Sequence, residues 1–148
     1  MKLERLYIIR QTLKHRKSID IIFPISITIP YTVVDICKMQ AKYDKNNVFF
    51  KIINKQLPSD ICYEDDKVLC FHDIDPKAPT HLLLVPKREF VSFNDFMEHS
   101  NSEDVAYFFK TAQKIAKQFG LESYRIVSNC GEGAGQVVFH FHLHIMGY

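Results

Sequence analysis

Polar and apolar positions alternate near the end of the chain, in His140-Phe141-His142-Leu143-His144-Ile145-Met146. A repeat of two predicts a β-strand, whose successive side chains point to opposite faces. His140, His142 and His144 would then line one face, while Phe139, Phe141, Leu143 and Ile145 pack on the other. The period changes over residues 48–53, where Val48, Phe49, Ile52 and Ile53 fall at helical spacing. This predicts a short helix running to about residue 55, capped by Asn46 or Asn47 and ended by Leu57-Pro58.

Residues 61–64 and 68–73 read as two strands joined by a turn at Asp65-Asp66. The next strand, 82–85, is an unbroken apolar run and predicts burial on both faces, with His81 at its start. Residues 86–101 read as a connection with scattered aromatics. A long helix follows, with Ser102 as its cap, Glu103 and Asp104 in the first turn and Gly120 at its end. Its predicted buried stripe is Val105, Phe108, Phe109, Ala112, Ile115, Ala116 and Phe119. Residues 124–128 form another strand, which Asn129 ends. This order of elements predicts an α+β domain with an antiparallel sheet and two helices.

With 148 residues, one domain is expected, and 47% apolar content allows a core. The net charge of +2 hides an asymmetry. Residues 1–45 carry nine Lys/Arg against four Asp/Glu, and residues 46–148 carry ten against thirteen. The chain therefore divides into an extension, 1–45, expected to be disordered or no part of the domain, and a domain, 46–148. The acidic balance of the domain argues against a nucleic-acid partner.

Within the extension, Arg10, Lys14, Arg16 and Lys17 precede an apolar run over 19–34, superficially an export signal. Asp20 inside the run, Pro24 and Pro30, and the missing small-residue cleavage site speak against a signal or a membrane span. A chain starting at Met39 is expected to fold and act like the whole. Cys37, Cys62, Cys70 and Cys130 show neither C-x-x-C spacing nor a disulfide framework, which points to free thiols and a cytoplasmic location.

Three imidazoles spaced about 6–7 Å apart along one strand face are costly for packing alone, because each buried ring nitrogen needs a partner. Two chemistries remain open. Imidazole binds zinc, or one histidine is a nucleophile and the others donate to an anionic substrate. The loop just upstream, Gly131-Glu132-Gly133-Ala134-Gly135-Gln136, can bring backbone N–H groups to a ligand as an anion cradle. A cradle followed by three histidines suits a phosphate better than a bare metal.

The stretch 140–146 resembles the His-φ-His-φ-His-φ-φ motif of the histidine triad family, with every position filled. Phe71-His72-Asp73-Ile74-Asp75-Pro76-Lys77-Ala78-Pro79-Thr80-His81 resembles the corresponding segment of its Hint branch, the purine nucleoside phosphoramidases. The likeness spans roughly residues 47–147. It implies a five-stranded antiparallel sheet paired into a two-fold homodimer with a continuous ten-stranded sheet. It also implies hydrolysis at the α-phosphorus of purine nucleoside phosphoramidates, with no cofactor or metal. His142 would be the nucleophile, with His144, His140 and His81 around the phosphate. Val48, Phe49, Ile52, Ile74 and Leu83 would hold the purine, and Asp73 the ribose. Asn129, Gly135, Gln136 and Val137 would surround the phosphate, where many relatives carry Ser in place of Val137. A dinucleoside polyphosphate hydrolase or nucleotidyl transferase, and a binding module with little turnover, are the alternatives.

Overall fold

The computed structural model describes residues 42–148. All but the last four residues of the expected N-terminal extension, Cys37 and the 19–34 apolar run included, lie outside that range. The first helix, α1 (Val48–Ile53), starts where the Asn47 side chain accepts the Phe50 N–H at 2.9 Å. Strands β1 (Ile61–Glu64) and β2 (Val68–His72) form the expected hairpin, its turn tied by Asp65, which accepts the Lys67 and Val68 N–H groups. Strand β3 is Thr80–Pro86, and residues 82–86 are buried throughout.

Two helices follow where the sequence predicted one. The stretch read as a connection contains α2 (Phe93–His99), capped by Ser92. Seven residues carry too little periodicity to stand out. The long helix α3 (Ser102–Gln118) is capped by Asn101 rather than Ser102, through a 2.7 Å bond from the Asp104 N–H to Asn101 Oδ1. Phe108, Ala112, Ile115 and Ala116 of its predicted stripe are buried. Phe109 and Phe119 remain exposed, and Thr111 takes a place in the buried face.

Strand β4 (Tyr124–Val127) and β5 (Leu143–Gly147) complete an antiparallel sheet of order β1-β2-β3-β5-β4. The sheet has a helix on each face. Val68, Cys70, Leu82, Leu84, Leu143 and Ile145 pack toward Phe108, Ala112 and Ile115 of α3. Leu69, Phe71, Leu83 and Val85 pack toward Phe49 and Ile52 of α1. The period of two in β2 and β3 thus assigns alternate side chains to two separate cores.

Only His144 of the three alternating histidines lies within a strand. Before Leu143 the backbone leaves the ladder, and the Phe141 N–H donates to the Phe90 carbonyl at 2.7 Å instead. Phe141 is buried against the rings of Phe93, Phe96 and Phe108 as expected, but Phe139 is 39% exposed and joins no core. Among the described residues, no helix is long and apolar enough to cross a membrane. Cys62, Cys70 and Cys130 are free thiols.

Candidate active site

A cavity of about 750 Å³ opens on the α1 side of the sheet. One wall is apolar, formed by Val48, Phe49, Ile52, Leu57, Phe71 and Leu83. The other carries Asp73, Asn129, Gly135, His142 and His144, with Ile74 and Val137 at the mouth. Ile74 is fully exposed and Val137 is 86% exposed, so both stand free at the rim. No lysine or arginine lines the cavity among the described residues. Phe71, Leu57, His72 and Val138 line it too and were not singled out from the sequence. Phe71 could have been, since it sits two positions before Asp73 on the same strand face.

His142 is fixed on three sides. Its Nδ1–H donates to the His140 carbonyl at 2.7 Å, and its own carbonyl accepts the Ser128 hydroxyl at 3.0 Å. The rings of Phe49 and His144 stand edge-on to it, each 5.0 Å between centroids. A carbonyl only accepts, so the proton is on Nδ1 and the Nε2 lone pair is left on the opposite side of the ring.

The same reasoning fixes His81 and His144. The Lys77 N–H donates to His81 Nδ1 at 3.1 Å, so His81 carries its proton on Nε2. That proton faces His144 Nδ1 at 2.9 Å, with Asp73 Oδ2 3.4 Å from His81 Nε2. His144 Nδ1 therefore accepts, and its own proton sits on Nε2. The Leu83–His144 register across β3 and β5 brings these rings together, because His81 lies two residues before Leu83 on the same face. Asp73 Oδ1 accepts the Asp75 N–H at 2.9 Å, and the carboxylate, which lines the cavity, keeps further acceptor capacity for hydroxyl donors.

His140 does not reach the cavity. It is fully buried, its Nε2–H donates to the Pro86 carbonyl at 2.8 Å, and its Nδ1 meets the Tyr43 hydroxyl. It bears on His142 only through its backbone carbonyl. Gln136 is also turned away. Its Nε2 donates to the Val91 and Val138 carbonyls at 2.6 and 3.1 Å, and its Oε1 accepts the Gly131 N–H at 2.9 Å. Gln136 thus clamps the glycine loop and is not among the residues that line the cavity. The loop is not the open cradle its composition suggests, because the Ala134, Gly135 and Gln136 N–H groups bond within it. Gly135 adopts φ 83°, which only glycine takes readily, and closes the turn beside Asn129. The N–H groups of Val137 and Val138, which also line the cavity, meet no protein acceptor among the described residues.

Burial depresses the basicity of all three histidines. His140 and His144 fall to about 4, and His142 also lies below the ordinary value. Desolvation is the main cause in each, since a buried ring resists charging. For His140 and His144, the neighbouring His142 adds to the effect.

Asp73, His81 and His144 also form the one triangle of metal-ligand atoms among the described residues. The separations of 3.4, 2.9 and 3.9 Å match the roughly 3.4 Å edge of a tetrahedral zinc site. A metal there would have to displace the His81 Nε2 proton. That proton cannot move to Nδ1 while the Lys77 N–H points at it. The hydrogen bonds thus favour a shared proton over an ion. The three motif histidines cannot jointly hold a metal either, because both ring nitrogens of His140 are engaged elsewhere.

The HIT domain family matches residues 54–148. An uncharacterized HIT-like protein of Rickettsia prowazekii is 45% identical over 107 residues, 71% of this chain and 89% of that protein. The purine nucleoside phosphoramidase of Escherichia coli is 38% identical over 105 residues, 70% of this chain and 87% of that one. The crystal structure of a HIT family hydrolase from Legionella pneumophila superposes with a TM-score of 0.62 at 40% identity, covering 69% of this chain and 92% of its own.

Proposed function

The chain belongs to the HIT domain family, and from that membership and the chemistry of its cavity we propose that it hydrolyses purine nucleoside phosphoramidates at the α-phosphorus. The observation that carries this reading is the His142–His140 carbonyl bond, which leaves the His142 Nε2 lone pair available to attack. In the first step Nε2 forms a bond to phosphorus as the phosphorus–nitrogen bond to the amine breaks. The amine leaves after taking up a proton. In the second step water attacks phosphorus, the histidine–phosphorus bond breaks, and the nucleoside monophosphate departs. Covalent catalysis of this kind divides one hard displacement into two easier ones.

The Nε2–H of His144 supports charge on the phosphoryl oxygens, and the N–H groups of Val137 and Val138, which meet no acceptor among the described residues, add to it. The apolar wall suits a purine, and the free lone pairs of Asp73 suit the ribose diol. The lack of lysine or arginine among the described lining residues favours a substrate with one phosphate over a dinucleoside polyphosphate, whose several charges would go unpaired. The depressed histidine basicities, which keep the nucleophile neutral, favour turnover over simple binding. The edge of β4, which pairs with no further strand among the described residues and leaves Tyr124 and Ile126 exposed, supports a two-fold dimer joined through that edge. The free thiols support a reducing, cytoplasmic setting.

The test is release of amine from adenosine phosphoramidate, compared with cleavage of a diadenosine polyphosphate by the same preparation. Faster amine release is expected. A preference for the dinucleotide would move the protein to the second reading, and tight AMP binding with neither activity would make it a binding module.

A further inference from the structure

Tyr43 lies ahead of the first helix, in a stretch that the charge and resemblance patterns set apart from the domain. Its ring packs edge-on against Phe50 at 6.1 Å and His140 at 5.5 Å. Its hydroxyl meets His140 Nδ1 across 97 positions of sequence. The direction of this bond follows from the other side of the ring. The Pro86 carbonyl can only accept, so His140 must keep its proton on Nε2. Nδ1 is then a bare acceptor, and the Tyr43 O–H is its donor.

Without Tyr43 the buried Nδ1 lone pair would go unsatisfied, which is costly in a site closed to water. The ring would gain freedom to turn or change tautomer, and the backbone it hangs on carries the carbonyl that holds His142. The phenol thus fixes the His140 ring, the fixed ring steadies its own carbonyl, and the carbonyl keeps the His142 proton on Nδ1. Tyr43 does not line the cavity and does not touch the reacting atoms.

We propose that Tyr43 is a positioning residue for the nucleophile, holding His142 in its reactive tautomer through His140. The effect on turnover rests on the phosphoramidase reading above; the effect on tautomers does not.

The experiment is Tyr43→Phe in the full chain, which keeps the ring and its packing and removes only the hydroxyl. Two readouts separate the proposal from the function on which it rests. In the first, nitrogen-15 NMR of the imidazoles reports which ring nitrogen carries the proton. The His140 Nδ1 resonance should move toward that of an unbonded acceptor, and His142 should show a mixture of tautomers. In the second, kcat for a purine phosphoramidate should fall about three- to ten-fold, the rate equivalent of one neutral hydrogen bond. KM should stay within about two-fold, because the nucleotide wall is untouched. Unaltered His140 and His142 resonances in a folded Tyr43→Phe protein overturn the proposal, whatever the activity. So does a loss confined to thermal stability or to KM. If the unmodified protein shows no phosphoramidase activity, the functional reading fails, while the resonances still decide the role of Tyr43.

Discussion

The Nδ1–H of His142 donates to the backbone carbonyl of His140 at 2.7 Å. The contact joins two residues that alternation alone would make equivalent, and it gives them different work. His142 presents a lone pair at the cavity, whereas His140 turns its ring into the protein and offers only its carbonyl.

His142→Ala should abolish turnover while AMP still binds, because Asp73 and the apolar wall remain. Rapid quenching with a purine phosphoramidate, then mass spectrometry, should find the nucleotide attached to His142 and to neither His140 nor His144. An adduct on another histidine, or chelator-sensitive turnover with no adduct, would refute the assignment.

Acid should affect activity and stability in the same direction. In the proposed mechanism attack needs neutral His142, whose basicity burial lowers, so kcat/KM should hold level on descending through pH 6.5 and drop only in more acidic solution. Stability should begin to fall earlier. His140 and His144 protonate in the fold only at about 4, whereas in the unfolded chain they do so near about 6.5. Between these values the unfolded state binds more protons, so stability is greatest above the upper value and declines toward the lower. The slope is up to about 1.4 kcal/mol per pH unit for each ring. Denaturant titrations across this range should show the decline, and a flat profile would contradict the assigned burial.

Val137 stands at the cavity mouth with no hydroxyl to offer the leaving group of the proposed reaction. Val137→Ser should raise the amine-release rate by a modest part of the roughly 10²–10⁴-fold that general acid help can contribute. The gain should be largest for the more basic amines, which most need a proton. Rates within error of the parent for a series of amines would remove Val137 from the proton path.

Ile126 lies on β4, the last strand of the sheet, and is 41% exposed. If the β4 edges pair between subunits, Ile126→Lys should place like charges across the two-fold axis and shift the protein toward monomer. Light scattering at several concentrations measures this. A parent protein that is already monomeric, or a variant that remains dimeric, would exclude pairing through this edge.

The sequence by itself determined the alternation along β2, β3 and β5, the caps and turns of α1 and the β1–β2 hairpin, and the α+β class. These are local matters of period and capping. The family likeness carried in residues 71–81 and 140–146 was equally legible. What only the tertiary structure decided is which of the similar residues face the cavity. Alternation tells which side of a strand a side chain leaves, not what waits there. Phe90, lying ahead of α2, draws the Phe141 backbone out of the ladder, and the Pro86 carbonyl and the Tyr43 hydroxyl capture the His140 ring. The carbonyls of Val91 and Val138 take up the Gln136 amide in the same way. Most of these partners lie tens of residues away along the chain, and a buried polar group goes to whichever donor or acceptor the fold brings within reach, because leaving it unpaired costs more than any local preference.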